Sequence, residues 1–414
     1  MNEVKLGDVA DVRISGVDKK TLPNEIPVRL CNYTDVYYNW TIRTENRQKF
    51  MLASAKEDEI SKFRLHAGQV ALTKDSETKF DIGHSTFISE DFDDVILGYH
   101  CALISPHPGM LDGQYLNAMF RTRHISDYLA RNAGGSGQRY YLSEAAIKSI
   151  PLKLPPITTQ LRIAAILGSI DEKIELNRKK IAELEALAKT IYDYWFVQFD
   201  FPDKNGKPYK SSGGKMVWNE QLKREIPEGW EVGTLSELAM ITMGQSPAGS
   251  SLNETEDGVL FFQGSSDFGE VAPTNRVYTL TPTRMAQSGD ILLSVRAPVG
   301  ATNTALHPCC IGRGLAAIRG FECSNLYIRQ TLALVKSRFV AKNVDGTTFG
   351  SISRDELRGI EVVKAPKQII HSFDLIAKPI EEEILRIVRH CVETTSLRDT
   401  LLPLLMNGQV EVKE

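Results

Sequence analysis

Apolar residues recur at alternating steps of three and four along one stretch of the chain: Ile163, Ile166, Ile170, Ile174, then Asn177, Ile181, Leu184, Ala188, Ile191 and Trp195. This spacing keeps one stripe of a helix turned toward a partner helix, as in a coiled coil. Asp171, Glu172, Lys173, Glu175, Arg178, Lys179, Lys180, Glu183 and Glu185 fall on the outer face. Pro155 and Pro156 precede the stripe, and proline tolerates a helix start while disfavouring helix before it. Some 40 residues at 1.5 Å each make a helix of about 60 Å, too long to lie wholly on one small domain. A second stripe follows the same rule: Phe373, Ile376, Ile380, Ile384, Ile387, Cys391, Thr394, Leu397, Leu401 and Leu405. Pro379 interrupts it and predicts a kink or a helix start there. Asn177 matches Ile387 of the second stripe, and a polar seam residue of this kind fixes register.

The two stripes belong to an internal duplication. The segment from Tyr141 aligns without a gap to the segment from Ser351 at an offset of 210, so that Ser143 falls on Ser353, Pro156 on Pro366, Ile174 on Ile384 and Leu187 on Leu397. Weaker echoes lie upstream at drifting offsets: LGDVADV from Leu6 with LSELAMI from Leu235, HAGQVALTK from His66 with QSGDILLSV from Gln287, LGYHCALI from Leu97 with IGRGLAAI from Ile311, and ARNAGGSG from Ala130 with AKNVDGTT from Ala341. The expected organisation is a globular segment over 1–155, a helix over 156–199, a Gly/Pro/Ser/Lys-rich linker over 200–229, a second globular segment over 230–365 and a second helix over 366–410. Trp218 and Trp230 are expected to tack down the linker's ends. Strands are predicted at 28–36, 68–74, 95–104, 258–264, 289–295 and 316–321, and matched amphipathic helices at 115–132 and 326–343, making each globular segment α+β.

Composition narrows the class. The 414 residues are 42% hydrophobic with a formal net charge of −3, enough for two or three cores and unlike a polybasic protein. A local basic stripe for DNA is still possible. No apolar run reaches membrane-spanning length, and the N-terminus lacks a signal-peptide pattern, so a cytoplasmic chain without membrane partners is expected. Cys31, Cys101, Cys309, Cys310, Cys323 and Cys391 form no CxxC pair, and are expected to be small buried hydrophobes rather than metal ligands.

Catalytic motifs are absent. There is no P-loop, GxGxxG after a strand, HExxH or GxSxG, nor the Asn/Asp-Pro-Pro-aromatic tetrapeptide of amino-methyltransferases. Glu77-Thr78-Lys79, near Asp75, has the shape of a nuclease ExK but lacks the partner aspartate a strand earlier, and reads as a charged turn. Of His66, His84, His100 and His124, only His100 is matched by a basic residue in the second copy, Arg313, so no shared catalytic histidine is expected. What remains is loop chemistry. NAGGSGQRYYLS from Asn132 carries Ser136, Gln138, Arg139, Tyr140 and Tyr141; its counterpart NVDGTTFGSISR from Asn343 carries Thr347, Thr348 and Ser351. Arg and Gln suit base edges; Ser, Thr and Lys suit phosphates. By composition alone these are solvated surface loops.

LPPITTQLRIAAIL from Leu154, AELEALAKTIYDYWFVQFDFP from Ala182 and GKPYKSSGGKMVWNEQLKREIPEGWEVGTLSEL from Gly206 resemble the specificity subunit of type I restriction–modification enzymes. The match is sharpest from about Ile150 to Leu238, and the likeness of architecture covers the chain. The resemblance implies two tandem target-recognition domains joined by two long antiparallel coiled-coil spacer helices, a pseudo-twofold repeat. It implies double-stranded DNA, two modification subunits and restriction subunits as partners. S-adenosylmethionine, ATP and Mg are then expected on those partners, with no cofactor or metal on this chain and no catalysis by it. The loops at 134–141 and 345–351 rank first as DNA contacts, with Lys19, Lys20, Arg296 and Arg313 second. The expected spacer interface comprises Ile163, Ile170, Ile174, Asn177, Ile181, Leu184, Ile191, Ile380, Ile384, Ile387, Leu397 and Leu401. The second helix departs from the family: KAPKQIIHSF from Lys364 lacks the paired prolines. A fused methyltransferase or nuclease with an unrecognised site, and a coiled-coil scaffold that does not touch DNA, are the alternatives.

Overall fold

The computed structural model describes residues 2–341, 350–410 and 412. The chain divides into two units, Met1–Glu175 with Thr394–Glu414, and Leu176–Glu393, and each long helix contributes to both. No helix among the described residues is long and apolar enough to cross a membrane.

In the first unit Asn2–Lys5 pairs antiparallel with Pro151–Leu154. The central sheet places Cys101–Pro106 between Ala10–Ile14 and Val70–Thr73, and continues to Ser85–Ile88 and Thr41–Ile42. Val70–Thr73 is buried at every position, as expected of a strand covered on both faces. A second sheet joins Met51–Ala55, Ile26–Cys31 and Val95–Leu97, the last pair parallel.

The second unit repeats this frame. Glu231–Thr234 pairs with Glu361–Lys364, Leu315–Gly320 lies between Ala239–Met243 and Ile291–Ser294, and Val259–Phe262 runs parallel to Cys309–Ile311. The globular segments, whose sequence echoes are faint, therefore share a core of strands, to which the first adds Thr41–Ile42 and the second adds Leu252–Asn253 and Met285–Ala286 at sheet edges.

Several elements are shorter than their apolar patterns. The strand expected at 28–36 ends at Cys31, because Asn32 opens a helical turn, Tyr33–Tyr38, its backbone N–H donating to Asp35 Oδ2 at 2.7 Å. The stretch 95–104 is two strands, broken at His100, whose φ is +75°. The helix expected over 115–132 is two, Gly113–Phe120 and Arg123–Asn132, because Thr122 takes extended backbone between them. Its counterpart, Asn325–Ala341, is a single helix. The linker contains a hairpin, Met216–Asn219 with Arg224–Pro227. Trp230 is buried as expected, but Trp218 is 57% exposed, its indole N–H donating to Glu220 Oε1 at 2.9 Å.

The long helices span Ile157–Tyr192, followed by a π-helical turn at Asp193–Val197, and Lys367–Met406. The second begins twelve residues before Pro379, which is carried inside it. In the second unit they run antiparallel. Ile181 packs with Ile387 and Val388, while Tyr192, Trp195 and Phe196 meet Phe373 with ring centroids 5.1–6.1 Å apart.

The buried stripe differs from the expected seam. Ile163, Ile174, Ile181 and Ile387 are buried, and Ile170, Leu184, Ile191, Ile380, Ile384 and Leu401 are half-buried. Leu167 and Asp171 lie deeper than Ile166 and Ile170. On the second helix Ala377 is buried in place of Ile376, and Leu397 is 51% exposed. The reason is that each helix is covered by globular side chains as well as by the other helix, which turns and widens its buried arc. Leu397 yields its place to Arg398, whose guanidinium lies 4.4 Å from the Trp40 ring. Asn177 is half-buried and its amide nitrogen meets no acceptor among the described residues.

Asp171, expected on the outer face, has a side chain only 1% exposed. Its Oδ2 accepts from Thr41 Oγ1 at 2.9 Å and from Arg43 at 3.1 Å. At the matching place on the second helix stands Glu381, which accepts backbone N–H groups of Asn325 and Leu326 and lies near Arg329. Two turns earlier, Asp374 accepts the Ser324 N–H at 3.0 and 3.1 Å. Both carboxylates sit where the unpaired N–H groups of helix Asn325–Ala341 concentrate positive potential. Burial pushes the Asp171 and Glu381 carboxyls upward, against these partners.

Candidate nucleic-acid interface

The first unit carries a third, small sheet: Gly134–Ser136 turns back on Arg139–Tyr141, which pairs with Asp75–Ser76. The hairpin requires glycine at 135, where φ is +113° and a Cβ would lie 2.2 Å from the Arg139 carbonyl oxygen. Gln138 and Arg139 are thereby placed beside the charged turn that follows Asp75, and with Tyr37, His100 and Asp81 they line an open groove of about 540 Å³.

Asp75 organises the groove floor. Its Oδ2 accepts from Lys74 Nζ at 2.7 Å and from His100 Nδ1 at 2.5 Å, and lies 3.9 Å from the Arg139 guanidinium. Burial pushes the Asp75 carboxyl up, but the hydrogen bonds from Lys74 and His100 outweigh it and hold the group below the usual range. Burial also pushes the His100 imidazole down, and Arg139 and Lys74 add to this against the pull of Asp75. Arg139 Nη2 lies 2.8 Å from Nδ1 and 3.2 Å from Nε2; a neutral ring that donates from Nδ1 to Asp75 offers it Nε2 as the acceptor. The left-handed backbone of His100 is held by the Lys74 N–H, which donates to its carbonyl at 2.8 Å.

The other wall is pinned by Asp81. Its Oδ1 accepts the Tyr37 phenol at 2.8 Å and faces His84 Nε2 at 2.8 Å. Burial, then the Asp81 bond, raises the Tyr37 phenol to about 12, so it stays a donor. The lining mixes three carboxylates, Asp75, Glu77 and Asp81, with Arg139, the His100 imidazole and the Gln138 amide. That mixture suits hydrogen-bond reading of base edges better than phosphate neutralisation: Arg presents paired donors to guanine, Gln suits adenine, and carboxylates accept amino groups.

Residues 1–186 match the family model of the type I restriction modification DNA specificity domain. The chain is 30% identical over 367 residues to the MjaX type I restriction enzyme specificity subunit of Methanocaldococcus jannaschii, covering 86% of this chain and 82% of that one. The MjaIX specificity subunit of the same organism is 25% identical over 330 residues, 75% of this chain and 72% of the relative. This chain belongs to the type I restriction–modification specificity subunits. The S subunit crystal structure from M. genitalium shares the fold, with a TM-score of 0.55 at 15% identity over 98% of this chain and 95% of that one.

As a specificity subunit it serves sequence recognition on DNA, and its second unit presents different chemistry in the same frame. The Leu142 N–H donates to Lys74 O at 2.7 Å in copy one, and the Ile352 N–H to Val295 O at 2.9 Å in copy two. Lys74 therefore matches Val295, and the next residue is Asp75 in one copy and Arg296 in the other. Arg296 forms a backbone bridge with Ser351, so two residues ranked separately in the sequence are neighbours. The Lys74 N–H donates to His100 O, and the Val295 N–H to Gly314 O. His100 is thus matched by Gly314, and Arg313 by Tyr99, correcting the match made from sequence. The Arg313 side chain is exposed, and its N–H donates to Ser246 Oγ at 3.4 Å, which in turn donates to Gln263 Oε1 at 3.1 Å. Gln263 is held from behind by Asp267, which accepts its N–H at 2.7 Å.

The remaining candidates separate. Tyr140 is half-buried under Lys79, whose Nζ lies 5.5 Å from the ring, while Tyr141 is 49% exposed. Lys19 is exposed and close enough to the turn Tyr33–Tyr38 to act on Asp35. Lys20 pairs with Asp18 at 3.2 Å, away from the groove-lining residues. The backbone of Ser136 pairs with Arg139, but its side chain is not described. Thr347 and Thr348 lie outside the described residues. Tyr37, Asp81 and Ser246 had no signal in the sequence, because isolated polar residues gain meaning only from what lies across from them.

Proposed function

We propose that this specificity subunit reads a split, asymmetric duplex site, the groove of copy one reading one half and the Arg296–Ser351 and Arg313 rim of copy two reading the other. The observation that carries this reading is the exchange of Asp75 for Arg296 at one place in a shared backbone frame, since reversing charge there changes which base edge is matched. Adenine methylation from S-adenosylmethionine, with extrusion of the base from the stack, falls to two docked modification subunits; ATP- and Mg-dependent restriction falls to further partners. This chain contributes no catalytic group. Its Asp75–His100 pair is tied to Lys74 and Arg139. Leu187 and Leu397, matched by the repeat and 48% and 51% exposed, support two equivalent docking positions. The chain acts on cytoplasmic DNA.

The test exchanges residues 1–155 for the same segment of another family member and maps methylated adenines in the host genome. One half of the methylated site should change and the other stay. A change in both halves, or methylation by the purified chain alone with S-adenosylmethionine, would defeat the proposal.

A further inference from the structure

Phe80, next in sequence to the groove-lining Asp81, is 87% exposed. A lone surface phenylalanine is ordinary; this one is displayed. The residue after it, Asp81, is fixed by Tyr37 and His84 at 2.8 Å each, and those two rings lie 4.0 Å apart. The residue before it, Lys79, rests its ammonium over Tyr140. Further back, the Thr78 N–H donates to Ser76 Oγ at 3.2 Å. The turn is therefore braced on both sides while the ring between the braces meets solvent. Tyr38, 74% exposed, lies on the same groove. Beside side chains suited to base edges, a braced and unburied aromatic ring is matched by one feature of duplex DNA, the flat face of a base.

We propose that Phe80 is a stacking wedge, entering a base step beside the pairs read by the copy-one groove and partly unstacking it. Apolar side chains open duplex steps in this way in bent protein–DNA complexes, and aromatic stacking on a base is indifferent to its identity. Phe80 then adds affinity without a letter of sequence, while Arg139 and its neighbours supply the letters. Opening one step also eases extrusion of a nearby adenine. The inference rests on the groove being a reader of DNA.

The complex with its modification subunits is bound to duplexes containing the mapped site, with 2-aminopurine placed in turn at each position in and beside the copy-one half, the methylated adenines excepted. Fluorescence should rise at one step. Phe80→Ala should abolish that rise and weaken binding about tenfold, with the salt slope and the preferred sequence unchanged; Phe80→Trp should restore both. An unchanged fluorescence rise and affinity in Phe80→Ala would overturn the wedge. Arg139→Ala tests the underlying reading separately: it should relax sequence preference in the same half-site, and an unchanged preference would overturn the groove assignment and the wedge with it.

Discussion

The buried carboxylate of Asp171 permits a sharp test of how a recognition domain is fastened to its helix. Arg43→Met keeps an apolar stem but removes the cation 3.1 Å from Asp171 Oδ2. Breaking a fully buried ion pair by deleting one partner costs about 3–5 kcal/mol. The Arg43 side chain is 23% exposed, so solvent screening reduces the expected loss to about 2 kcal/mol at neutral pH. Burial already raises the Asp171 carboxyl above its ordinary value. The folded chain therefore holds that proton more tightly than the unfolded chain does. The resulting stability is complete below the ordinary carboxylate pKa and is lost as pH rises through the raised one. Without Arg43 the carboxyl rises further, so the penalty should be larger at pH 8 than at pH 5, where Asp171 escapes by taking a proton. Asp171→Asn keeps an acceptor for Thr41 and removes the desolvated charge; it should cost about 1 kcal/mol or less and flatten the pH dependence. Of the four tryptophans, Trp40 alone lies in the first unit, and the Arg121 guanidinium lies over its ring at 5.3 Å. Urea unfolding followed by the fluorine signal of 5-fluorotryptophan at Trp40 therefore isolates that unit. Equal, pH-independent losses in Arg43→Met and Asp171→Asn would refute the reasoning.

Asp374→Asn should cost about 1–2 kcal/mol by weakening the bonds to the Ser324 N–H, shifting the Trp195 and Trp230 fluorine transitions and leaving that of Trp40 in place. Inserting four helical residues near Ala182–Leu187 lengthens one spacer helix by about 6 Å and should change the gap between the methylated half-sites; an unaltered gap would show that the helices are not the ruler. Leu187→Glu and Leu397→Glu, both at exposed positions, should leave the urea transitions intact and each weaken association with modification subunits in analytical ultracentrifugation, with normal assembly of both variants speaking against docking there.

Much of this protein follows from order along the chain. A constant offset between Ser143 and Leu187 and their counterparts discloses the duplication, because helices that pack along their length tolerate no insertions. The heptad-like steps foretell both long helices, since burial on a helix must recur every 3.6 residues. The Gly/Ser loop at 134–141 stands out along the chain, but its hairpin pairing, which needs glycine at 135, belongs to the structure. Tertiary structure decided the rest. Asp171 looks like outer-face charge until Thr41 and Arg43, some 130 residues earlier in the chain, are found against it. Leu397 fits the seam by spacing, yet faces solvent, because a helix covered from two directions buries an arc that periodicity alone cannot orient. Asp75 reads as a stray acid in a turn; it becomes the floor of a groove only when strand pairing brings Arg139 and His100 beside it. Periodicity records which face of an element is buried, and that is a local property. Which polar atoms meet across a groove depends on distant segments converging, and no local pattern encodes that.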